Sequence, residues 1–437
     1  MARHRDRSLP VGRGPHTRFT RLPGALLILG CGSSRTMPDA IPVTVDAVAL
    51  DSQDPMAVTP NLDARIGLGG GASCDASAQC LSGGCTLGVC SDWTHVMKIG
   101  IDTTSVGADV REDVTEFPLL IRLDDMNFAF GEARLDGADI RFLDSSGNSL
   151  AHEIERWDAQ KAAADIWVLV PRIKGNSRDN VIRMYWGNPL STPTSSGPSV
   201  FGSYFCVFHM GGDPNNSTIQ FDDDSGHDNA ATVQSHPGTD LSGTGITGSG
   251  LALDGSSTLT TSRRLAAPQT MTVSLWLKTS TSTGGGIAGF TSNPSGDVVR
   301  HDRAVVMDSS GRISFAVLNG GVPTTLTSLA NYNDGKWHFI VARFSNSGQY
   351  LFVDGESVAD DPMLTSADAY SGYWRFGEVP ALSPLEDDAG APITISDFIS
   401  GTIDETLVRT DELSDAWIKL SYATQRQGAT AVVYPPR

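Results

Sequence analysis

From Trp93 onward, apolar and polar positions alternate at a period of two over short runs. "HVMKIGID", "FPLLIRLD", "ADIRFLD", "DIWVLV" and "NVIRMYW" predict strands, and turn signals such as "DSSGN" and "KGNSRDN" separate them. The same grammar returns further on in "TMTVSLWLK", "RISFAVLN", "KWHFIVARFS", "QYLFVDGE", "YWRFGEV" and "GTIDETLVRT". No long helical period interrupts either series. Many short strands at regular spacing predict antiparallel sandwiches, one over 93–190 and a second over 198–432. The period changes only near the end, in "LSDAWIKLSYATQ". There Ser414 predicts an N-cap, Asp415 sits in the first turn, and Trp417, Leu420 and Tyr422 form the apolar contacts of a helix lying as a lid on a sandwich. Trp276, Trp337 and Trp417 fall inside these patterns and are expected in the core, with His338 facing out.

The first 92 residues follow a different plan. Residues 1–31 carry six Arg and one Asp, then the short apolar run "GALLILGCGSS". A basic start, an apolar middle and a small residue before a cut is an export signal, and the run is too short to span a bilayer. The Gly30-Cys31 junction resembles a bacterial lipobox, with Ile28 and Leu29 in place of its usual Leu and small residue. That resemblance implies lipidation at Cys31; cleavage without a lipid is the alternative. Residues 32–73 contain Pro, Asp, Ala, Thr and Val without a sustained period and predict a disordered tether.

Four thiols follow in "CDASAQCLSGGCTLGVC", at Cys74, Cys80, Cys85 and Cys90. Zinc ribbons use close Cys pairs on tight knuckles, and these gaps are wider. An exported chain meets an oxidising compartment, so two disulfides in a small spacer at 74–90 are expected, with all three connectivities open. The stretch resembles small Cys-rich repeats of myxobacterial surface proteins. Cys206 is expected to be a buried small hydrophobe.

A formal charge of −18 repels a phosphate backbone, and no basic stripe with interleaved aromatics is present, which argues against nucleic acid as a partner. Nucleophile elbow, metalloprotease, phosphate-loop and dinucleotide signatures are missing from the sequence. "HEIERWD" places Glu153 and Glu155 two apart, as retaining glycosidases place carboxylates about 5.5 Å apart on a strand. Position 157 is Trp, so the expectation is a solvated strand face beside a buried Trp157. "FDDDSGHDNA", residues 221–230, is the most acidic stretch. A cation site, a catalytic acid pair and a hydrated turn all remain open for it.

The residues "FPLLIRLD", "GADIRFLDSSGNSLAHEIERWD", "IWVLVPRI" and "IRMYWGNP" resemble an uncharacterised bacterial β domain. That domain occurs before laminin-G-like domains and at the start of some ExbB-like biopolymer-transport proteins. "LALDGSSTLTT", "TMTVSLWLKTS", "DGKWHFIVARFS", "YLFVDGE" and "GTIDETLVRTDELSDAWIKLSY" resemble a concanavalin-A-like, laminin-G-type jelly roll. The resemblance implies two face-to-face antiparallel sheets with glycan or protein binding. It also implies a structural calcium where the Asp-Ser-Gly turn meets the "IDE" segment, with Asp224, Asn229, Asp404 and Glu405 as oxygen donors. Asp222 and Asp223 would add only field, and His227 is a poor ligand for so hard an ion. Tyr370, Tyr373 and Trp374 are the candidate glycan platform, although alternation along one strand sends Tyr373 and Trp374 to opposite faces.

The combined expectation is an all-β protein with two sandwiches in tandem behind a signal, a tether and a stapled spacer. It would be a non-catalytic binding protein of the bacterial cell envelope, an outer-membrane or cell-surface lipoprotein touching the membrane through its lipid alone. The jelly roll would recognise a glycan or a surface protein. A polysaccharide-processing enzyme and a purely structural envelope component are the alternatives. If Cys31 carries the lipid, cells fed a labelled fatty acid incorporate it into this protein, and Cys31→Ser abolishes the label and releases the chain from the membrane fraction.

Overall fold

The computed structural model describes residues 93–436 apart from 216–219, 235–238, 383–384, 387–389 and 391, together with the backbone of 85–86 and 89–90. Cys31, Cys74 and Cys80 lie outside the described residues. Cys85–Thr86 and Val89–Cys90 form a two-stranded antiparallel ladder in which Cys85 faces Cys90. The pairing of the thiols lies outside the described residues too.

Two antiparallel β-sandwiches follow, as the alternation predicts. In the first, a five-stranded sheet runs in the order Val432–Val433, His95–Ile101, Asn180–Trp186, Arg141–Leu143, Ser149–Leu150. It faces a three-stranded sheet of Val114–Asp124, Ala163–Ile173 and His152–Asp158. The second sandwich has two eight-stranded sheets. One holds Ser249–Asp254, Ser400–Arg409, Met271–Lys278, Trp337–Ser345 and Gly348–Val353 at its centre. The other holds Thr258–Thr261, Ser371–Phe376, Gly285–Thr291, His301–Met307 and Ile313–Asn319.

The runs in the second sandwich are apolar on both faces, and the structure explains why. Val273, Leu275, Leu277, Ile340, Ala342 and Phe344 point into the core between the two large sheets. The alternate positions Trp276, Phe339, Val341, Phe352 and Leu407 point outward and join the core of the first sandwich. Helix Asp415–Gln425 fills the seam. Ser414 caps it by accepting from the Trp417 N–H at 3.2 Å, and Trp417, Ile418 and Leu420 are buried. Trp417 meets the Phe117 ring edge-on at 5.1 Å, while Tyr422 stacks on Trp276 at 5.8 Å. The helix is therefore a shared wedge between two sandwiches, and the lid expectation is corrected. A wedge contributes apolar area to both neighbours, whereas a lid serves one.

Beyond the helix the chain returns to the first sandwich. Val432 pairs with Ile101, and the Tyr434 hydroxyl accepts from the Arg122 N–H at 3.0 Å. The Arg122 guanidinium donates to the Gln425 carbonyl at 2.6 Å, at the C-terminal end of the helix, and to the Ile246 carbonyl at 3.2 Å. It also lies 3.6 Å from Asp165, which is 1% exposed. A cation at a helix C-terminus is favourably placed, and this one ties three segments together.

Two smaller expectations change. Trp337 is half-buried instead of core, and His338 is not a plain surface residue: its ring lies 2.8 Å from Asp354 and 3.1 Å from Asp334. "GGIAG" opens the buried strand Gly285–Thr291. Its glycines admit the backbone at Val379 and at 397–399, since a Cβ at Gly286 would sit 2.2 Å from the Val379 nitrogen.

Arg122→Ala should cost about 3 kcal/mol, because it strips Asp165 of one cation and leaves the helix-end carbonyls without their donor. Lys161→Ala, which removes an ion pair from a residue 82% exposed, should stay within about 0.5 kcal/mol. Urea unfolding of both variants checks the contrast.

Candidate functional site

Strand Ser400–Arg409 is flanked along one side by two different neighbours. Ser249–Asp254 pairs with it up to Ile403, and Cys206–Phe208 takes over from Thr406. Asp404 and Glu405 fall in the break between them. On the other side the register against Met271–Lys278 slips at the same place, and Glu405 adopts φ +47. This is a β-bulge with its extra residue in the left-handed region. Adjacent strand residues normally face opposite ways; here the bulge lets both carboxylates reach the Thr247 hydroxyl, Glu405 at 3.0 Å and Asp404 at 3.4 Å. Strand His152–Asp158 slips register between Ile154 and Arg156, opposite Ala163–Ile173. There Glu155 receives the Trp167 indole N–H at 2.8 Å and the Thr247 hydroxyl at 2.8 Å.

His209 stands at the centre. Its Nδ1 lies 2.9 and 3.1 Å from the two oxygens of Glu405 and 3.9 Å from Glu155. Its Nε2 lies 3.5 Å from Glu153. Trp167 stacks on its ring at 5.5 Å and Phe201 closes the edge at 5.2 Å. Met210, the next residue, has φ +54. Backbone in a costly conformation on both sides of one cluster is held there by its surroundings, and such strain gathers at functional positions. Gly197 lines the approach, since a Cβ there would lie 2.9 Å from Glu153 Oε1 and 2.6 Å from the Asp224 carbonyl oxygen.

The electrostatics follow from burial. Asp404 and Glu405 are 0% exposed and the His209 side chain 4%. Removing water disfavours the charge on Glu155, and the neighbouring Glu405 adds to this, so its pKa is pushed up to about 8. Burial, with Glu153 and Glu405 nearby, raises Asp224 to about 7. Burial and Glu405 likewise raise Asp404 well above its usual range. Burial opposes the charge on His209, but Glu405, Glu153 and Glu155 outweigh it and hold its pKa well above the ordinary value. Every shift has one meaning: these carboxylates hold protons or share positive charge. A cavity of about 300 Å³ opens on them, lined by Glu153, Glu155, His209, Asp222 and Asp224 among others.

The four predicted oxygen donors do not converge. Asp224 and Glu405 belong to the cluster, on either side of His209. Asp404 lies beside it, but its Oδ2 accepts from the backbone N–H groups of Ile246 and Thr247 at 2.8 and 3.1 Å. Asn229 is spent elsewhere: its amide oxygen accepts from the Arg263 N–H at 2.8 Å. Asp223 organises the acidic turn by accepting from the N–H groups of Val207, Ser225 and Asn229. "HEIERWD" is not a solvated face. Glu153 is 7% exposed and the Glu155 side chain 5%, because the second sandwich covers this strand. Sequence reasoning did not single out His209; the signal was a lone His in "FCVFHMGG" beside the acidic turn.

The aromatic platform is corrected as well. Trp374 is 1% exposed and packs on Phe290. Tyr370 donates its hydroxyl to the Phe290 carbonyl at 2.6 Å, and Arg300 covers its ring. Tyr373 is half-buried. A larger cleft, about 740 Å³, opens at the end of the sheet that holds Met271–Lys278 and Ser400–Arg409. Thr244, Lys278, Ser400, Thr402 and the run 279–283 line it, so hydroxyl groups dominate its wall.

Groups whose folded pKa is raised bind more protons folded than unfolded, so stability falls as pH climbs through that window. Glu155 and Asp224 act in this direction from the ordinary carboxylate range up to about pH 8 and about pH 7, and His209 adds to it above the ordinary histidine value. In the presence of a chelator, the melting temperature should therefore be higher at about pH 5.5 than at about pH 8. Glu155→Gln should flatten that slope, and melting curves at both pH values test it.

Two family models match the chain. A Domain of unknown function (DUF2341) covers residues 136–232. The Concanavalin A-like lectin/glucanases superfamily (Laminin_G_3) covers residues 253–419. The first match holds Glu153, Glu155, His209 and Asp224, and the second Asp404 and Glu405. No curated protein matches. Among solved structures, the botulinum neurotoxin serotype D binding domain is 17% identical, with 53% of each chain covered and a TM-score of 0.36. The serotype G binding domain is 15% identical, with 50% of each chain covered and a TM-score of 0.35. The serotype D ligand binding domain in complex with N-acetylneuraminic acid is 16% identical, with 52% of each chain covered and a TM-score of 0.33. The chain spans about half the length of these structures. Its described residues hold a DUF2341 domain followed by a concanavalin A-like domain.

Proposed function

We propose that this is a non-catalytic binding protein of the bacterial cell envelope, and that its concanavalin A-like domain binds a hydroxyl-rich ligand, a glycan, in the cleft at the sheet end. The supporting observation is the composition of that cleft. Its wall is made of Ser and Thr hydroxyls, with Lys278 at the rim. Hydroxyls both donate and accept, which suits a ligand that carries many hydroxyls of its own. The cleft is large enough for more than one sugar ring, within the usual range for ligand sites. Binding there does not call on stacked aromatic rings, which agrees with Trp374 being core and Tyr370 being tied to the backbone.

Export and a lipid on Cys31 belong to this reading. With the anchor at one end, the tether at 32–73 and the Cys-rich spacer would hold the fused sandwiches away from the membrane and present the cleft outward. A polysaccharide-processing role is the second reading, favoured by Glu155 and Asp224 facing a cavity with raised pKa values.

A glycan array probed with the purified protein tests the proposal. Bound glycans should weaken by about fivefold on Thr402→Val and on Ser282→Ala, the loss of roughly one hydrogen bond each. Tyr373→Ala should leave them unchanged. Affinity that ignores the cleft variants and disappears with Tyr373→Ala would refute the cleft. Reducing ends released from a bound polysaccharide, and lost on Glu155→Gln, would establish the second reading.

A further inference from the structure

We infer that Glu153, His209 and Asp224 form a site for a divalent transition-metal ion of the zinc class, open to the cavity between the acidic turn and strand His152–Asp158. This site is separate from the hydroxyl-lined cleft and does not depend on the glycan reading.

Glu153 Oε2 and His209 Nε2 are buried, face each other at 3.5 Å, and have no hydrogen-bond partner. Their side chains are 10% and 4% exposed. Buried polar atoms left without partners are rare, because each forfeits its hydration without compensation. Here two lie side by side, and an Asp224 carboxylate oxygen joins them, with all three donor atoms within 4.8 Å of one another. An ion binding between them would satisfy all three at once.

The other ring nitrogen fixes the chemistry. A carboxylate can only accept, so the 2.9 Å contact with Glu405 keeps the proton on Nδ1. A metal ion would displace the remaining ring proton, on Nε2, and take up the lone pair of that nitrogen, which is directed at Glu153. Glu405 lies 3.0 Å from the Thr247 hydroxyl, whose one proton it shares with Glu155 at 2.8 Å. A carboxylate behind a histidine is the arrangement that orients metal-bound imidazoles and raises their basicity. Trp167 stacked on the ring prevents it from turning.

The donor set selects the ion. One imidazole and two carboxylates suit zinc and its neighbours, whereas calcium takes six to eight oxygens. Asn229 and Asp404, which a calcium shell would need, are committed to backbone N–H groups. Three protein ligands leave coordination positions open, and the cavity of about 300 Å³ lies on that side. Water, or an oxygen of a small ligand, would complete the shell there.

The test is titration calorimetry on the full chain after chelator treatment, with Zn²⁺, Mn²⁺ and Ca²⁺ as separate probes. A single Zn²⁺ should bind and raise the melting temperature. Glu153→Gln and Asp224→Asn should each weaken it by at least about tenfold, and Glu405→Gln by about tenfold through the histidine. Circular dichroism shows whether each variant is folded, and Asp224, the least buried ligand, guards against a variant lost to misfolding. Binding through the cysteines would be indifferent to Glu153→Gln and Asp224→Asn, so zinc uptake unchanged in both folded variants overturns the site. No uptake of Zn²⁺ or Mn²⁺, or Ca²⁺ binding alone that persists in Glu153→Gln, overturns it equally.

Discussion

Carboxylates buried at a seam between two sandwiches are the constraint around which this molecule is organised. Glu153 and Glu155 come from the first sandwich, Asp224, Asp404 and Glu405 from the second, and His209 is the imidazole among them. Out of water their mutual repulsion is strong, and they remain together only where positive charge is shared among them. The surrounding architecture meets that demand in layers. Arg122 and Arg156 flank Asp165 next to the cluster, Thr247 and Trp167 donate into it, and the N–H groups of Ile246 and Thr247 neutralise Asp404.

The same seam explains the unusual fusion of the two domains. A jelly-roll sheet normally offers one face to its partner sheet. Here Trp276, Phe339, Val341 and Phe352 use the other face to continue the core of the first sandwich, with helix Asp415–Gln425 wedged between. The final strand then closes on His95–Ile101. Neither sandwich is a bead on a string, because separating them would expose an apolar face on each. That rigidity gives the cluster its definition: the donors come from both partners, and packing holds them in place.

Backbone irregularity performs the local placement. Bulges at Glu155 and Glu405 and the left-handed residues Glu405 and Met210 occur where regular ladders would turn carboxylates away from one another. The break between Ser249–Asp254 and Cys206–Phe208 along strand Ser400–Arg409 leaves room for them. A regular sheet could not seat Asp404 and Glu405 on one side, since successive residues alternate.

The sequence alone determined the central strands that alternate or run apolar, the sandwich architecture, the capped helix and the buried Cys206, but not strands such as Gly285–Thr291 and His301–Met307. Period-two alternation and capping chemistry are local, and they survive in a one-dimensional reading. It also pointed to Asp224 and Glu405, through the acidic turn and the "IDE" segment. It missed His209, and it read Glu153 and Glu155 as solvated. Nothing near "HEIERWD" in the chain says that residues more than fifty positions later will cover it. Burial, register slips and the meeting of two domains are non-local, so only the tertiary structure turned a polar strand face and an isolated histidine into one enclosed cluster.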